Sequence, residues 1–317
     1  MAQTPLTKEN IPSIALGTWS WGTGSNSGED IFGNHLREDD LRPVFEKAVD
    51  AGFTLWDTAA VYGMGDAETI LGRFMQGRRD LFLSTKFTPG MSVEPVEKAL
   101  DYTLERLDID HTDIYWIHNP TDVDRWTKEL IPLMKNGKIK HAGVSNHNLE
   151  EVKQAASILE AEGLRLSAVQ NHYSLLFRSS EDAGIIDWCR ENDVVFFSYM
   201  VLEQGALSGK FDKDHPMQAG TRRGDAFNAD VMAQLDDLLQ LLKKTAETHN
   251  VETAEIAMAW AIAKGTVPIV GVTKPHHVDG AASAAGVTLS DQEISELEET
   301  AAASGVDIKG GWEKRMD

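Results

Sequence analysis

Short apolar runs recur along the chain, each closing on a small or polar residue. They are SIALGTW from Ser13, FTLWDTA from Phe53, LFLSTKF from Leu81, DIYWIHN from Asp113, HAGVSN from His141, LSAVQN from Leu166, VVFFSYM from Val194 and VPIVGVTK from Val267. Such continuous apolarity belongs to strands buried on both faces, and it predicts eight of them. Helical periodicity lies between several runs. Leu41, Val44, Phe45, Ala48 and Val49 recur at helical spacing before Gly52. Val93, Val96, Leu100, Thr103, Leu104 and Leu107 do so between the third and fourth runs. Leu130, Leu133 and Met134 precede Gly137, and Val152, Ala155, Ala156 and Leu159 precede Gly163. A glycine just past the last apolar position is a common helix stop.

Strands alternating with helices of this length imply βαβ crossovers and a parallel sheet. Eight units in 317 residues fit an α/β fold of the closed (β/α)8 TIM-barrel kind, with its active site at the C-terminal ends of the strands. A doubly wound sheet is the alternative. It calls for a glycine-rich turn after the first strand, but GTWSWGTGSNSG contains no GxGxxG opening a helix. The interval from Leu202 to Lys264 breaks the period. It reads as a loop over the barrel mouth with an added helix, around 203–250, and 290–317 reads as a C-terminal helix and tail. The whole of 1–317 is thus expected to be a single barrel domain.

Charge narrows the partners. The chain carries 30 Lys+Arg against 50 Asp+Glu, a formal charge of −20, and no long basic run. Nucleic acid and anionic membranes are therefore excluded as partners, and an anionic ligand needs a local cationic pocket. No apolar run approaches the roughly 20 residues of a membrane span. The N-terminus lacks the pattern of a secretory signal. One cysteine, Cys189, forms no internal disulfide. These features point to the cytoplasm. The oligomeric state is left open.

In a barrel, the residues closing each strand converge on one site. Here they are Trp19, Asp57, Lys86, His118, Asn146, Gln170, Tyr199 and Thr273, and Tyr62 follows Asp57 by five positions. From Asp57 to Tyr199, successive members stand 24 to 32 residues apart, about one βα unit each. Taken singly, the His reads as a structural hydrogen-bonder, the Lys and Asp as a salt bridge and the Tyr as packing. Together, an acid, a phenol, an amine and an imidazole suit carbonyl reduction, which needs a hydride on carbon and a proton on oxygen. A phenol is a reluctant acid. A nearby Lys86 ammonium would lower its pKa, and Asp57 would hold that ammonium charged and oriented. His118 would hydrogen-bond the carbonyl oxygen while Tyr62 gives it a proton. The hydride must come from a nicotinamide.

These residues sit in WDTAAVYGMGDAETILG, LFLSTKF, DIYWIHNP, GVSNHN, AVQNHYS, YMVLEQGALSGK and VPIVGVTKPHHV. In order and spacing, nearly from end to end, the chain resembles the aldo-keto reductase family. The resemblance implies Asp57, Tyr62, Lys86 and His118 as the catalytic tetrad. It implies Gly17, Thr18 and Trp19 near nicotinamide and substrate, and Ser145, Asn146 and Gln170 on the carboxamide. Tyr199 would stack on the nicotinamide, with Leu202, Ser208 and Lys210 covering the pyrophosphate. Lys210 would meet a phosphate, with a solvated loop lysine as the alternative. Gly271, Thr273, Lys274 and His277 would surround the adenosine 2′-phosphate, so the implied cofactor is NADPH/NADP+, with NADH as the alternative.

The chain departs from the family at three places. It has Met200-Val201 where relatives often have Ser-Pro. It has Gly280-Ala281 where many relatives set Glu-Asn against the adenine, which implies weaker adenine recognition. It has Val270 where some have Lys. The adjacent His276 and His277 supply no complete coordination shell, so no metal is expected. Trp19, Trp21, Phe87, Trp116 and Trp312 are expected to form an aromatic wall favouring aldehydes or ketones of modest polarity. Two rivals are a Schiff-base aldolase or lyase using Lys86 and a nucleotide-binding, redox-reporting accessory subunit.

Overall fold

The computed structural model describes residues 5–78, 80–306, 308 and 316. Eight parallel strands close in chain order into a barrel. They are β1 (Ala15–Gly17), β2 (Leu55–Asp57), β3 (Phe82–Phe87), β4 (Thr112–Ile117), β5 (Ile139–Ser145), β6 (Leu166–His172), β7 (Val195–Tyr199) and β8 (Val267–Gly271). All eight apolar runs named above become strands. Closure is direct: Gly17 pairs with Asp57 on one side and Gly271 on the other. The remaining registers, such as Lys86 beside Trp116 and Ser145 beside Gln170, bring the strand ends to a common rim.

The helices run α1 (Gly28–Phe32), α2 (Glu38–Asp50), α3 (Asp66–Met75), α4 (Val96–Leu107), α5 (Val123–Lys135), α6 (Leu149–Glu160), α7 (Ser179–Asp182), α8 (Ile185–Glu191), α9 (Arg222–Ala226), α10 (Ala229–Gln234), α11 (Asp236–His249), α12 (Thr253–Ala263), α13 (Pro275–Ala284) and α14 (Asp291–Ala303). The four periodic stretches correspond to α2, α4, α5 and α6. Helix α3 is an addition. Ala67, Ile70, Leu71, Phe74 and Met75 line its buried face. Its Gly72 lies so close to α4 that a Cβ would meet the Arg106 carbonyl oxygen at 2.3 Å. The long interval after β7 holds a 3-10 segment, Glu203–Ser208, and then α9 to α12.

Side-chain alternation along each strand divides the core in two. Inward residues, among them Ala15, Leu55, Ile114, Trp116, Ala168 and Phe197, fill the barrel, with Leu6 and Ile11 packed in the same cluster. Outward residues, such as Trp56, Tyr115 and Ile117, pack beneath the helices. Trp116 stacks edge-on against Phe197, with ring centroids 5.3 Å apart. It fits because β5 carries Gly143, where a Cβ would stand 2.3 Å from the indole. The packed interior supports a rim of polar side chains.

Candidate active site

Period-2 alternation aims Asp57 from β2, and Ser84 and Lys86 from β3, into the barrel. Lys86 is fully buried and Asp57 nearly so. The Lys86 ammonium donates to Asp57 Oδ1, to the Thr58 carbonyl oxygen at 2.8 Å and to the Tyr62 hydroxyl at 3.5 Å. Asp57 Oδ2 accepts from Ser84 Oγ at 2.7 Å and from Gln170 Nε2 at 3.1 Å. Ser84 in turn accepts from Trp116 Nε1 at 2.6 Å. Both carboxylate oxygens and all three ammonium hydrogens thus have partners. A buried ion pair requires that satisfaction to offset its desolvation.

Tyr62 stands on the loop after β2, in a 3-10 turn spanning Tyr62–Gly65. The turn contains Gly63 at φ 57° and Met64 at φ 52°, both left-handed. His118 closes β4. Its ring lies edge-on to Tyr62, with centroids 6.1 Å apart, and its Nδ1 meets Thr88 Oγ1 at 2.8 Å. Thr88 donating to Nδ1 would leave the imidazole proton on Nε2.

The electrostatics differ from the sequence expectation at the phenol. Burial lifts the Tyr62 pKa well above the ordinary tyrosine value, and the Asp57 charge lifts it further. The direction is opposite to the lowering expected from the Lys86 ammonium. Burial also lowers the Lys86 pKa, against the opposing pull of Asp57. Burial, followed by the Lys86 charge, depresses His118 to about 3. Near neutral pH the site therefore holds a protonated phenol and a neutral imidazole beside a compensated ion pair.

Along the rim, Asn146 adopts φ 62°, a left-handed conformation that asparagine tolerates. Its amide nitrogen donates to the His118 carbonyl oxygen at 2.9 Å, and its oxygen accepts from the Tyr199 hydroxyl at 2.6 Å. Ser145 Oγ lies 3.3 Å from the same amide nitrogen. Because Gln170 commits its nitrogen to Asp57, its oxygen is the atom left to accept. Thr18 donates through its backbone N–H to the Asp57 carbonyl oxygen at 3.0 Å. A Cβ at Gly17 would touch Ile269 at 3.0 Å. Gly17 and Thr18 thus hold β1 against its neighbours.

A second cluster lies beyond β8. The Thr273 backbone N–H donates to His277 Nδ1 at 3.2 Å. Burial lowers His277 to about 4, and the charges of His276, Lys274 and Lys210 push the same way. The charges of Lys210, from the loop after β7, and of Lys274, at the start of α13, thus both reach His277. Neither has an acidic partner among the described residues. Ser208 shapes the Lys210 loop by donating to the Gly205 carbonyl oxygen at 2.6 Å and accepting from the Lys210 N–H at 3.3 Å. Leu202 packs against the core beneath it. Gly271 is exposed at the end of β8.

The expected aromatic wall is largely absent. Trp19 stands at the mouth, stacked on Tyr62 with centroids 6.1 Å apart and edge-on to Phe32 of α1 at 5.3 Å. Trp21 is fully buried and donates to the Val272 carbonyl oxygen at 2.6 Å. Phe87 faces outward onto Trp126, and Trp116 lies one layer below His118 inside the barrel. Trp312 lies outside the described residues. Ser84, Thr88 and Thr58 were not singled out from the sequence. Ser84 had a signal, because it precedes Lys86 by two positions and so shares its face of β3.

Comparison with known proteins identifies the family and the fold. The sequence model of the Aldo/keto reductase family matches residues 13–302. The chain is 30% identical to the protein named aldo-keto reductase yakc [NADP(+)] of Schizosaccharomyces pombe, over 83% of this chain and 82% of that protein. It is 32% identical to an aldo-keto reductase of Gibberella moniliformis, over 87% of this chain and 88% of that one. In three dimensions it is similar to an aldo-keto reductase of Klebsiella pneumoniae solved in complex with NADPH. The TM-score is 0.74 at 23% identity, covering 100% of this chain and 99% of that chain.

Proposed function

The chain belongs to the aldo/keto reductase family, and we propose that it reduces aldehydes or ketones to alcohols with NADPH, using Tyr62 as proton donor. The observation carrying this reading is the satisfied Lys86–Asp57 pair directed at Tyr62, beside a neutral His118. The residues present also fit the cofactor. Lys274 offers a cation for a 2′-phosphate and Lys210 one for the pyrophosphate, Gln170 and Asn146 offer amide groups for a carboxamide, and Tyr199 offers a ring at the rim. Bound there, the reduced nicotinamide would supply the hydride.

The protein's part is to orient the carbonyl and deliver the proton. His118 Nε2–H hydrogen-bonds the carbonyl oxygen, and the Tyr62 hydroxyl meets the same atom. Tyr62 keeps its proton in the resting site because burial and Asp57 disfavour the phenolate. As charge grows on the substrate oxygen, the proton moves to it. The Lys86 ammonium then faces the developing phenolate, where it stabilises most. Lys86 thus acts on the transition state rather than on the resting pKa.

Tyr62→Phe tests the reading. The variant is expected to bind NADPH with unchanged affinity and to lose at least a hundredfold in turnover. Undiminished turnover would assign the proton to another group. The lyase alternative meets an obstacle in Lys86 itself, whose hydrogens are all engaged by oxygens and which is held as an ammonium by Asp57. The accessory-subunit alternative does not account for a complete tetrad. Among the described residues, no helix is long and apolar enough to cross a membrane. We assign the enzyme to the cytoplasm, where its buried thiol Cys189 would stay reduced.

A further inference from the structure

Glu255 has a carboxylate that the fold leaves unused. It is the third residue of α12 and only 6% exposed, and its Oε2 is buried with no hydrogen-bond partner. An ionised carboxylate in that state is costly unless something donates to it. Glu255 lies in the first turn of α12, where a helix favours an acidic side chain, yet Oε2 has no donor. Its neighbour across the helix pair is Gly280 of α13, where a Cβ would stand 3.3 Å from Glu255 Oε1. With no side chain at 280, nothing from that position crowds Oε1 along the α12–α13 seam. Glu255 also lines a cavity of about 460 Å³, together with Glu252, Asn250 and Ser283.

This seam leads to the cationic cluster. His277, Gly280 and Ser283 follow one another at i, i+3 spacing, so they form one stripe down α13. His277 at its head is the residue that the charges of Lys210 and Lys274 both reach. A second tie runs through α12, because Gly209, beside Lys210, packs on Thr253, with a Cβ there 2.8 Å from the threonine side chain. A nucleotide whose phosphates meet Lys210 and Lys274 would thus run along this stripe toward Glu255. The exocyclic amine is the adenine's hydrogen-bond donor, and a carboxylate is acceptor only.

We propose that Glu255 accepts the exocyclic amine of the cofactor adenine, through the space opened by Gly280. This rests on the NADPH reading and reverses one expectation from the sequence. The small residues at 280 and 281 do not leave the adenine unrecognised, because the acceptor comes from α12. Glu255 is then a specificity-determining residue for the base, while Lys274 discriminates at the phosphate.

The test measures quenching of tryptophan fluorescence by NADPH and by its deaminated counterpart, in which hypoxanthine replaces adenine. Wild type is expected to bind NADPH about tenfold more tightly, the worth of one charge-assisted hydrogen bond. Glu255→Ala should bring the ratio of the two affinities close to one by weakening NADPH. Should that variant fail to fold, the near-isosteric Glu255→Gln decides. Its amide can accept from the amine or donate to the hypoxanthine carbonyl, so the ratio should again approach one. A tenfold ratio surviving in either variant, or a ratio of one in wild type, overturns the proposal. Lys274→Ala should weaken both nucleotides equally and leave their ratio intact. If wild type bound neither nucleotide, the cofactor reading would fall and the Glu255 assignment with it.

Discussion

The two ends of the proposed cofactor cleft are built differently. At the catalytic end, Asp57, Ser84, Lys86 and Gln170 stand on β2, β3 and, across the barrel, β6, are buried, and satisfy one another down to Trp116 in the barrel core. At the phosphate end, Lys210 and Lys274 are exposed, stand on a loop and a helix start, and have no acidic partner among the described residues. Proton transfer needs atoms held to fractions of an ångström, which buried strands provide. Phosphate recognition needs charge at the right place, and solvated lysines provide that while staying free to adapt. The loop between the ends shares the strain, with Met200, Glu203 and Gln204 at φ 57°, 46° and 55°. Such left-handed non-glycine residues persist only where surrounding contacts enforce them.

The largest effect should come from breaking the rigid end. Lys86→Met leaves Asp57 buried and unpaired, at a cost of about 3–5 kcal/mol. Turnover should be abolished and the melting temperature should fall sharply by calorimetry. A variant that melts like wild type would mean that the pair contributes little to folding.

Acid should act inside the barrel, at His118 beside the catalytic rim and at His141 near the other end of β5. His118 and His141 have native pKa values depressed to about 3 and about 4, each by burial first. Below pH 6.5 the unfolded chain binds protons on these rings and the native state does not, so stability falls as pH drops from 6.5 toward 4. The slope reaches about 1.4 kcal/mol per pH unit for each ring. Urea midpoints across that range measure it. Turnover should show no break near pH 6.5, because His118 is already neutral there. A kinetic step at that pH would contradict the buried, neutral imidazole.

The exposed end should respond more mildly. Lys274→Ala should weaken NADPH about tenfold and leave NADH unchanged, with the difference shrinking as salt rises. Equal effects on the two cofactors would remove Lys274 as discriminator. Ser84→Ala should have the smallest effect, removing one hydrogen bond from Asp57. A loss of about 1 kcal/mol in turnover with unaltered cofactor affinity is expected. An effect on affinity instead would mean that the two ends are less separate than the geometry implies.

Eight strands, closure into a barrel and the ring of polar strand ends were legible in the chain, because burial on both faces leaves a continuous apolar run and the βα repeat fixes the spacing. Helix α3 was hidden by the glycines around and within it, and Gly72 is there for close packing on α4. The aromatic wall was misread because a tryptophan near a strand end does not announce its depth. Alternation from His118 would have placed Trp116 one layer down. Three decisions belong to the tertiary structure: that burial and Asp57 outweigh Lys86 at the Tyr62 hydroxyl, that Gln170 spends its amide on Asp57, and that Glu255 reaches the gap left by Gly280. Each depends on distances of a few ångströms between segments far apart in the chain. Composition and periodicity record which side chains exist and which way they face; desolvation and partner geometry decide what they do.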